Sequence, residues 1–127
     1  MTDFERRNNE MIGRMAADGD LKQKAKDLFD AANAHEYSYH FTWLGRPIIQ
    51  YPQDILAMQE LIWRIKPEVI VETGIAHGGS LILSSSMLEL IGKGEVIGVD
   101  IDIREHTREA LAAHPLSKRI TLIEGSR

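Results

Sequence analysis

An α/β fold built on three parallel strands is what this sequence predicts, and three observations predict it. The segment VIVETGIAHGGS, residues 69–80, is an apolar run that ends in an acid, turns on small residues and opens a helix. Further on, VIGVDID over residues 96–102 is a second apolar run ending in an acid. A third run at residues 119–123 follows a short helical pattern, so strand and helix alternate from residue 68 onward. With right-handed crossovers the strands are ordered 3-2-1, which is half of a doubly wound, Rossmann-like sheet. The first strand would ordinarily be central, yet the sequence ends at Arg127. A fragment, a truncated product, or a homo-oligomer that completes the sheet in trans is therefore expected, because an apolar strand edge left open pairs with another chain or aggregates.

The elements follow in order. Residues 3–18 are polar, with Met11, Ile12 and Met15 in a narrow apolar stripe, and are expected to form a helix that docks on something else. Asp20 with Gln23 resembles a capping box that opens a second helix to about His35, with Gly19 separating the two. The aromatic segment YSYHFTW, residues 37–43, lacks helical spacing and reads as a loop or short strand covering an edge; Leu44, Gly45, Arg46 and Pro47 end it as a turn. Its aromatics are expected in core or interface packing, with a substrate or adenine wall as the alternative. Asp54 is expected to cap a helix carrying Ile55, Met58, Leu61, Ile62 and Ile65, and Lys66-Pro67 stops it. The first strand, residues 68–73, has no apolar alternation, which suits a strand buried on both faces. The next helix runs from about Gly79 to Ile91 with Leu83, Met87, Leu90 and Ile91 inward, and Gly92 ends it. Residues 95–99 form the second strand, residues 104–113 a short helix and residues 119–123 the third strand.

The bend between the first strand and its helix carries the chemistry. Gly74, Ala76 and Gly78 fall at alternate positions, so no large side chain keeps a ligand from the backbone. A helix starting near Gly78 or Gly79 leaves its first N–H groups free to hold a carboxylate or phosphate oxygen, and Ser80 is placed to cap it or add a donor. Asp100, at the end of the second strand, is positioned to accept from both hydroxyls of a ribose. Glu72 separates two cofactor classes: an acid two residues before the first glycine repels a pyrophosphate and attracts the ammonium of an amino-acid moiety. S-adenosylmethionine fits better than NAD, although Gly74, Ala76 and Gly79 also read as the G-x-A-x-x-G that a dinucleotide site tolerates. The bland alternative makes Glu72 and Asp100 ordinary strand-end acids around a tight turn. His77 is either a contact to cofactor or substrate or a surface histidine. Asp100, Asp102 and His106 offer oxygen and imidazole donors but are not expected to form a metal site.

Composition narrows the classes. The chain has 127 residues, at most one ordinary domain, with 43% hydrophobic residues to fill a core. A net charge of −4 leaves no electrostatic footprint for nucleic acid, and Lys22, Lys24 and Lys26 read as a solvated helix face. No cysteine is present, so neither a disulfide framework nor a thiolate metal site is expected. The charged N-terminus lacks a signal-peptide core and no run approaches the roughly 18 apolar residues of a membrane span, so a cytoplasmic location without membrane contact is expected.

WLGRPIIQ at residues 43–50, Asp54 with MQELI at 58–62, ETGIAHGGS at 72–80, VDIDIR at 99–104, and HPL at 114–116 with RITLIEGS at 119–126 together resemble the cephalosporin hydroxylase and rhamnosyl O-methyltransferase family. The resemblance covers about residues 40–126. It implies a class I S-adenosylmethionine-dependent methyltransferase fold, with Mg²⁺-assisted O-methyl transfer in several members. It also implies that Glu72 and Gly74 contact the methionine end, that Gly78, Gly79 and Ser80 act at the helix start, that Asp100 clamps the ribose, and that Gly125 and Ser126 touch the adenine. Family members carry more chain, their acidic metal ligands lie on later strands, and Arg127 stands where a second serine is frequent. Residues 1–50 are thus expected to be a helical N-terminal extension with an aromatic loop, and residues 51–127 the first half of an S-adenosylmethionine-binding domain.

The expectation is the cofactor-binding portion of an O-methyltransferase acting on a sugar or other small-molecule hydroxyl, with no catalytic residue and no metal ligand assigned in this chain. The alternatives are an inactive module working through oligomerisation and a NAD-dependent oxidoreductase fragment. Glu72 disfavours the second of these.

Overall fold

The computed structural model describes residues 1–125 and divides the chain into two compact units, residues 1–37 and the remainder from Ser38. The first unit holds helices α1 (Asp3–Ala17) and α2 (Gly19–Asn33). Thr2 and Glu5 form a reciprocal capping box at the start of α1. Asp18, with extended backbone, both ends α1 and caps α2 by accepting from the Leu21 N–H at 2.9 Å. The cap is therefore Asp18 and not Asp20, which lies inside the first turn and pairs with Lys24 instead. Phe4, Ile12, Met15 and Leu28 are all more than half exposed.

In the second unit, strands β1 (Phe41–Trp43) and β2 (Arg46–Ile48) form an antiparallel hairpin. Leu44 and Gly45 turn it with φ of 45° and 85°, the positive pair that a two-residue hairpin turn demands. Arg46 and Pro47, expected in the turn, are paired strand residues, and the ribbon has no third strand to demand the N–H that Pro47 lacks. Trp43 is packed against the core, its indole N–H donating to Ser86 Oγ at 3.0 Å.

Helix α3 (Pro52–Ile65) begins on a proline whose fixed φ suits the first helical position, so the N-cap is Tyr51. Asp54 sits within the first turn and is not the cap. Lys66, left-handed at φ 51°, and Pro67 terminate the helix.

Strands β3 (Val69–Thr73), β4 (Glu95–Asp100) and β5 (Ile120–Glu124) are parallel and lie side by side in the order β3-β4-β5. Helix α4 (Gly79–Ile91) is the centre of the core: Leu81, Ile82, Leu83, Ser85 and Leu88 expose 1% or less. It packs on α3, β4, the hairpin and the turn at Ser117–Arg119. Gly98 permits its approach to the sheet, since a Cβ there would sit 2.8 Å from Leu81 Cδ1. Helix α5 (Glu105–Ala112) joins β4 to β5. Two expectations about burial fail. Leu90 is 73% exposed, although its neighbours in the last turn of α4, Met87, Leu88 and Ile91, are buried in or packed on the core. In β3, an edge strand, Ile70 and Glu72 face inward while Val69 and Val71 are 47% and 61% exposed, so the strand is not buried on both faces. No helix among the described residues is long and apolar enough to cross a membrane.

Candidate functional site

The parallel register pairs Glu72 with Gly98, and Asp100 lies two residues beyond Gly98, so both acids project from the same sheet face. The bend of residues 74–78 lies between them, with positive φ at Gly74 (75°), Ala76 (46°) and Gly78 (81°). A non-glycine residue in the left-handed region is strained and persists only where its surroundings fix it. Here four ties fix it. The Gly74 N–H donates to the Val99 carbonyl at 2.8 Å, the Ile75 N–H to Asp100 Oδ2 at 2.9 Å, and the Gly78 N–H to the Ile75 carbonyl at 2.8 Å. From the hairpin, the Arg46 guanidinium donates twice to the His77 carbonyl, at 2.7 and 3.1 Å.

The small residues of this bend are small for different reasons. A Cβ at Gly74 would meet nothing within 4 Å, so the backbone there is open. At Gly78 it would meet Leu111 at 2.6 Å, and at Gly79 the Pro47 carbonyl oxygen at 2.2 Å. Packing therefore accounts for Gly78 and Gly79, whereas at Gly74 no neighbour presses and the left-handed φ is what favours glycine. Gly78 is the helix N-cap, without a side-chain cap bond, so Ser80 does not cap α4. Instead the Ser80 hydroxyl donates to Glu72 Oε1.

The two acids sit in opposite electrostatic circumstances. Burial pushes the Glu72 carboxyl above its ordinary value, with the Ser80 hydroxyl pulling partly back. Hydrogen bonds from the Ile75 and then the Asp102 backbone N–H hold Asp100 below its ordinary value. A glutamate whose folded pKa exceeds its unfolded one stabilises the fold when protonated, and that contribution is lost as pH rises from the unfolded to the folded value. Glu72→Gln keeps an acceptor for Ser80 and removes the charge. Its melting temperature should therefore exceed that of the parent at pH 7 and converge on it near about pH 4.

A cleft of about 480 Å³ opens on the Glu72 side, lined in part by Gln50, Met58, Ile70, Gly74, Gly79 and Ser80. A second, of about 240 Å³, holds Asp100, Asp102, Arg104 and Thr107. Ala76 and His77 border both, so the bend is the wall the two clefts share. The Gly125 N–H donates to the Asp100 carbonyl at 3.0 Å, which brings Gly125 beside the second cleft's acid; Ser126 lies outside the described residues. Among the described residues no three His, Asp or Glu side chains gather where a metal ion could be held.

Three residues that the sequence reading gave no site role take part in this architecture. Arg46 braces the bend. Gln50 lines the larger cleft with a buried side-chain oxygen. Glu124 accepts from the Ile103 N–H at 2.9 Å and from Arg108 at 3.0 Å, fixing the chain just past Asp100. Gly45 is the local turn signal ahead of Arg46 in the sequence; nothing local marks Gln50 or Glu124.

Residues 35–127 match the family described as rhamnosyl O-methyltransferase/CmcI. Among solved structures, a CmcI form described with SAH is 27% identical with a TM-score of 0.53, aligned over 68% of this chain and 43% of its own. A form described as the CmcI apo-structure is 26% identical, TM-score 0.54, over 69% and 36%. One described with Mg-SAM is also 26% identical, TM-score 0.55, over 69% and 37%. The chain thus spans about two fifths of the length of the solved structures it resembles. No curated protein matches it significantly.

Proposed function

The chain belongs to the rhamnosyl O-methyltransferase/CmcI family, and from that membership and the bend between two acids we propose that it forms the cofactor-binding part of an S-adenosylmethionine-dependent O-methyltransferase. Its β3-β4-β5 sheet corresponds on this reading to the 3-2-1 half of a doubly wound sheet, and the acceptor of the methyl group is a hydroxyl of a sugar or another small molecule. The observation that carries the reading is the desolvated Glu72. Its carboxylate accepts from the Ser80 hydroxyl, and among the described residues no ion pair reaches it.

A buried acid without a cation suits a ligand that brings one, and an ammonium does so where a pyrophosphate would be repelled. Glu72 and the open backbone at Gly74 would hold the amino-acid end. The N–H groups at the α4 start, from Gly79 and Ser80, are aimed as a helix terminus aims them, at a carboxylate. Asp100 retains lone pairs for ribose hydroxyls beyond those given to Ile75 and Asp102, with Ala76 and His77 along the middle and Gly125 toward the base. S-adenosylmethionine supplies, when bound, an electrophilic methyl group on sulfur. This chain's part is to grip and orient, which is where much of the rate of such a transfer originates. Among the described residues no cluster of His, Asp or Glu fits a Mg²⁺ site.

Calorimetric titration with S-adenosylhomocysteine tests the reading, with NADH as the competing ligand. Binding of the former and not the latter is expected; absence of heat at millimolar S-adenosylhomocysteine with folded protein would overturn it. A second reading, oligomerisation through the β3 edge, is favoured by the exposed Val69 and Val71. A monomer in sedimentation would exclude it.

A further inference from the structure

Gln50 lies two residues past the hairpin, in the wall of the larger cleft that also holds Glu72, Gly74 and Ser80. Its Oε1 is buried and meets no donor, and it is the only side-chain nitrogen or oxygen among the described residues in that condition. Buried polar atoms in folded proteins are almost always paired, so an orphan at the wall of a ligand cleft marks a place where a donor belongs. Of the side chains lining the cleft, Ile49, Met58 and Ile70 are apolar, the Ser80 hydroxyl is already given to Glu72, and none of Thr73, His77 and Ser84 donates to Oε1.

We propose that Gln50 is a further ligand-binding residue, its amide oxygen accepting from the ammonium of the cofactor's amino-acid end together with Glu72. An ammonium carries three donors and no acceptor, so it satisfies a carboxylate and a carbonyl oxygen at once. The neutral amide is the right second acceptor. A second carboxylate in the same dry cleft would repel Glu72 and hold a proton between them, weakening the grip it was meant to add. A ligand carboxylate would bring no donor to Oε1 and would face the Glu72 charge, which leaves the helix start as its better place. The hairpin thereby has two functions in the site: Arg46 sets the bend, and the chain leaving β2 delivers Gln50.

This inference rests on the cofactor reading above, and its test separates the two. The full chain, Gln50→Leu and Gln50→Asn are titrated with S-adenosylhomocysteine and with 5′-methylthioadenosine, which has the adenosyl thioether without the amino-acid end, and each protein is melted without ligand. In Gln50→Leu the melting temperature should hold or rise, because the orphan acceptor is gone. S-adenosylhomocysteine should bind about tenfold more weakly and 5′-methylthioadenosine unchanged. Gln50→Asn, which keeps the amide but withdraws it by one methylene, should show the same selective loss and serves if the leucine variant does not fold. Undiminished S-adenosylhomocysteine affinity in both variants, or an equal loss for the two ligands, would overturn the role of Gln50 while leaving the cofactor reading standing. Failure of the parent chain to bind either ligand would overturn the cofactor reading itself, and the assignment of Gln50 with it.

Discussion

Asp100→Ala is expected to reduce S-adenosylhomocysteine affinity by on the order of a hundredfold and to destabilise the unliganded chain by about 1–3 kcal/mol. The stability loss follows from Ile75, which is 2% exposed and whose N–H, given to Asp100 Oδ2, would be left buried without an acceptor. The affinity loss is larger because two effects combine: the charged acceptor for the ribose disappears, and one of the ties on the strained Ala76 bend is cut. Asp100→Asn separates them. It can keep an oxygen toward Ile75, so its unfolding free energy in urea should fall far less than that of the alanine variant, while the ligand still loses its charged partner. The acid dependence should also change. Because Asp100 titrates below its ordinary value in the fold, its stabilising contribution is present above the unfolded value and is lost as pH falls through the folded one. Glu89, held low by Lys118 and Arg119, contributes to the same acid limb, so the difference between parent and Asp100→Asn isolates Asp100. Equal stability of Asp100→Ala and the parent would show that the bend does not depend on this acid.

Gly79→Ala should be the most damaging of the glycine-to-alanine changes, with a loss of about 3 kcal/mol in urea unfolding. The added Cβ would fall 2.2 Å from the Pro47 carbonyl oxygen, 2.6 Å from its carbon and 2.8 Å from Ile48 Cα. All three are backbone atoms of a strand whose Ile48 is 1% exposed, so the hairpin as a whole must retreat. Gly78→Ala would meet the movable side chain of Leu111 and carry a left-handed φ; Gly74→Ala would carry the φ penalty alone. The unfolding midpoints should therefore fall in the order Gly74, Gly78, Gly79, with Gly79 lowest. Ligand affinity should drop with Gly79→Ala as well, since the displaced hairpin carries both Arg46 and Gln50. A midpoint for Gly79→Ala no lower than that for Gly74→Ala would mean that the hairpin does not press on the helix start.

Much of the second unit was legible because its signals are local. Apolar runs broken by small residues place β3, β4 and their helices to within a residue or two, and Lys66-Pro67 and Gly92 stop helices where the sequence says they must. Glu72 and Asp100 were legible as a pair because each lies at the C-terminal end of an apolar run, and strand position in a parallel sheet fixes which face a side chain takes. The failures share a cause. Asp18 and Asp20, or Tyr51 and Asp54, are both plausible starts in a string of letters, and the choice is made by backbone angles that neighbouring turns and Pro52 impose. Leu90 and Val71 look like core residues, and only which face each turns to its packed neighbours decides that they are not.

By itself the sequence determined the alternation of strand and helix, the bend that needs left-handed backbone, and the two acids beside it, because periodicity, glycine and strand ends act over a few residues. Tertiary structure alone decided which glycine is open and which is pressed, that Ser80 serves Glu72, and that Arg46 holds a carbonyl 31 residues away while Gln50 enters the cleft. Such contacts depend on where the hairpin comes to rest on α4. That resting place is set by the sum of many packing contacts between distant segments, and no short stretch of sequence encodes it.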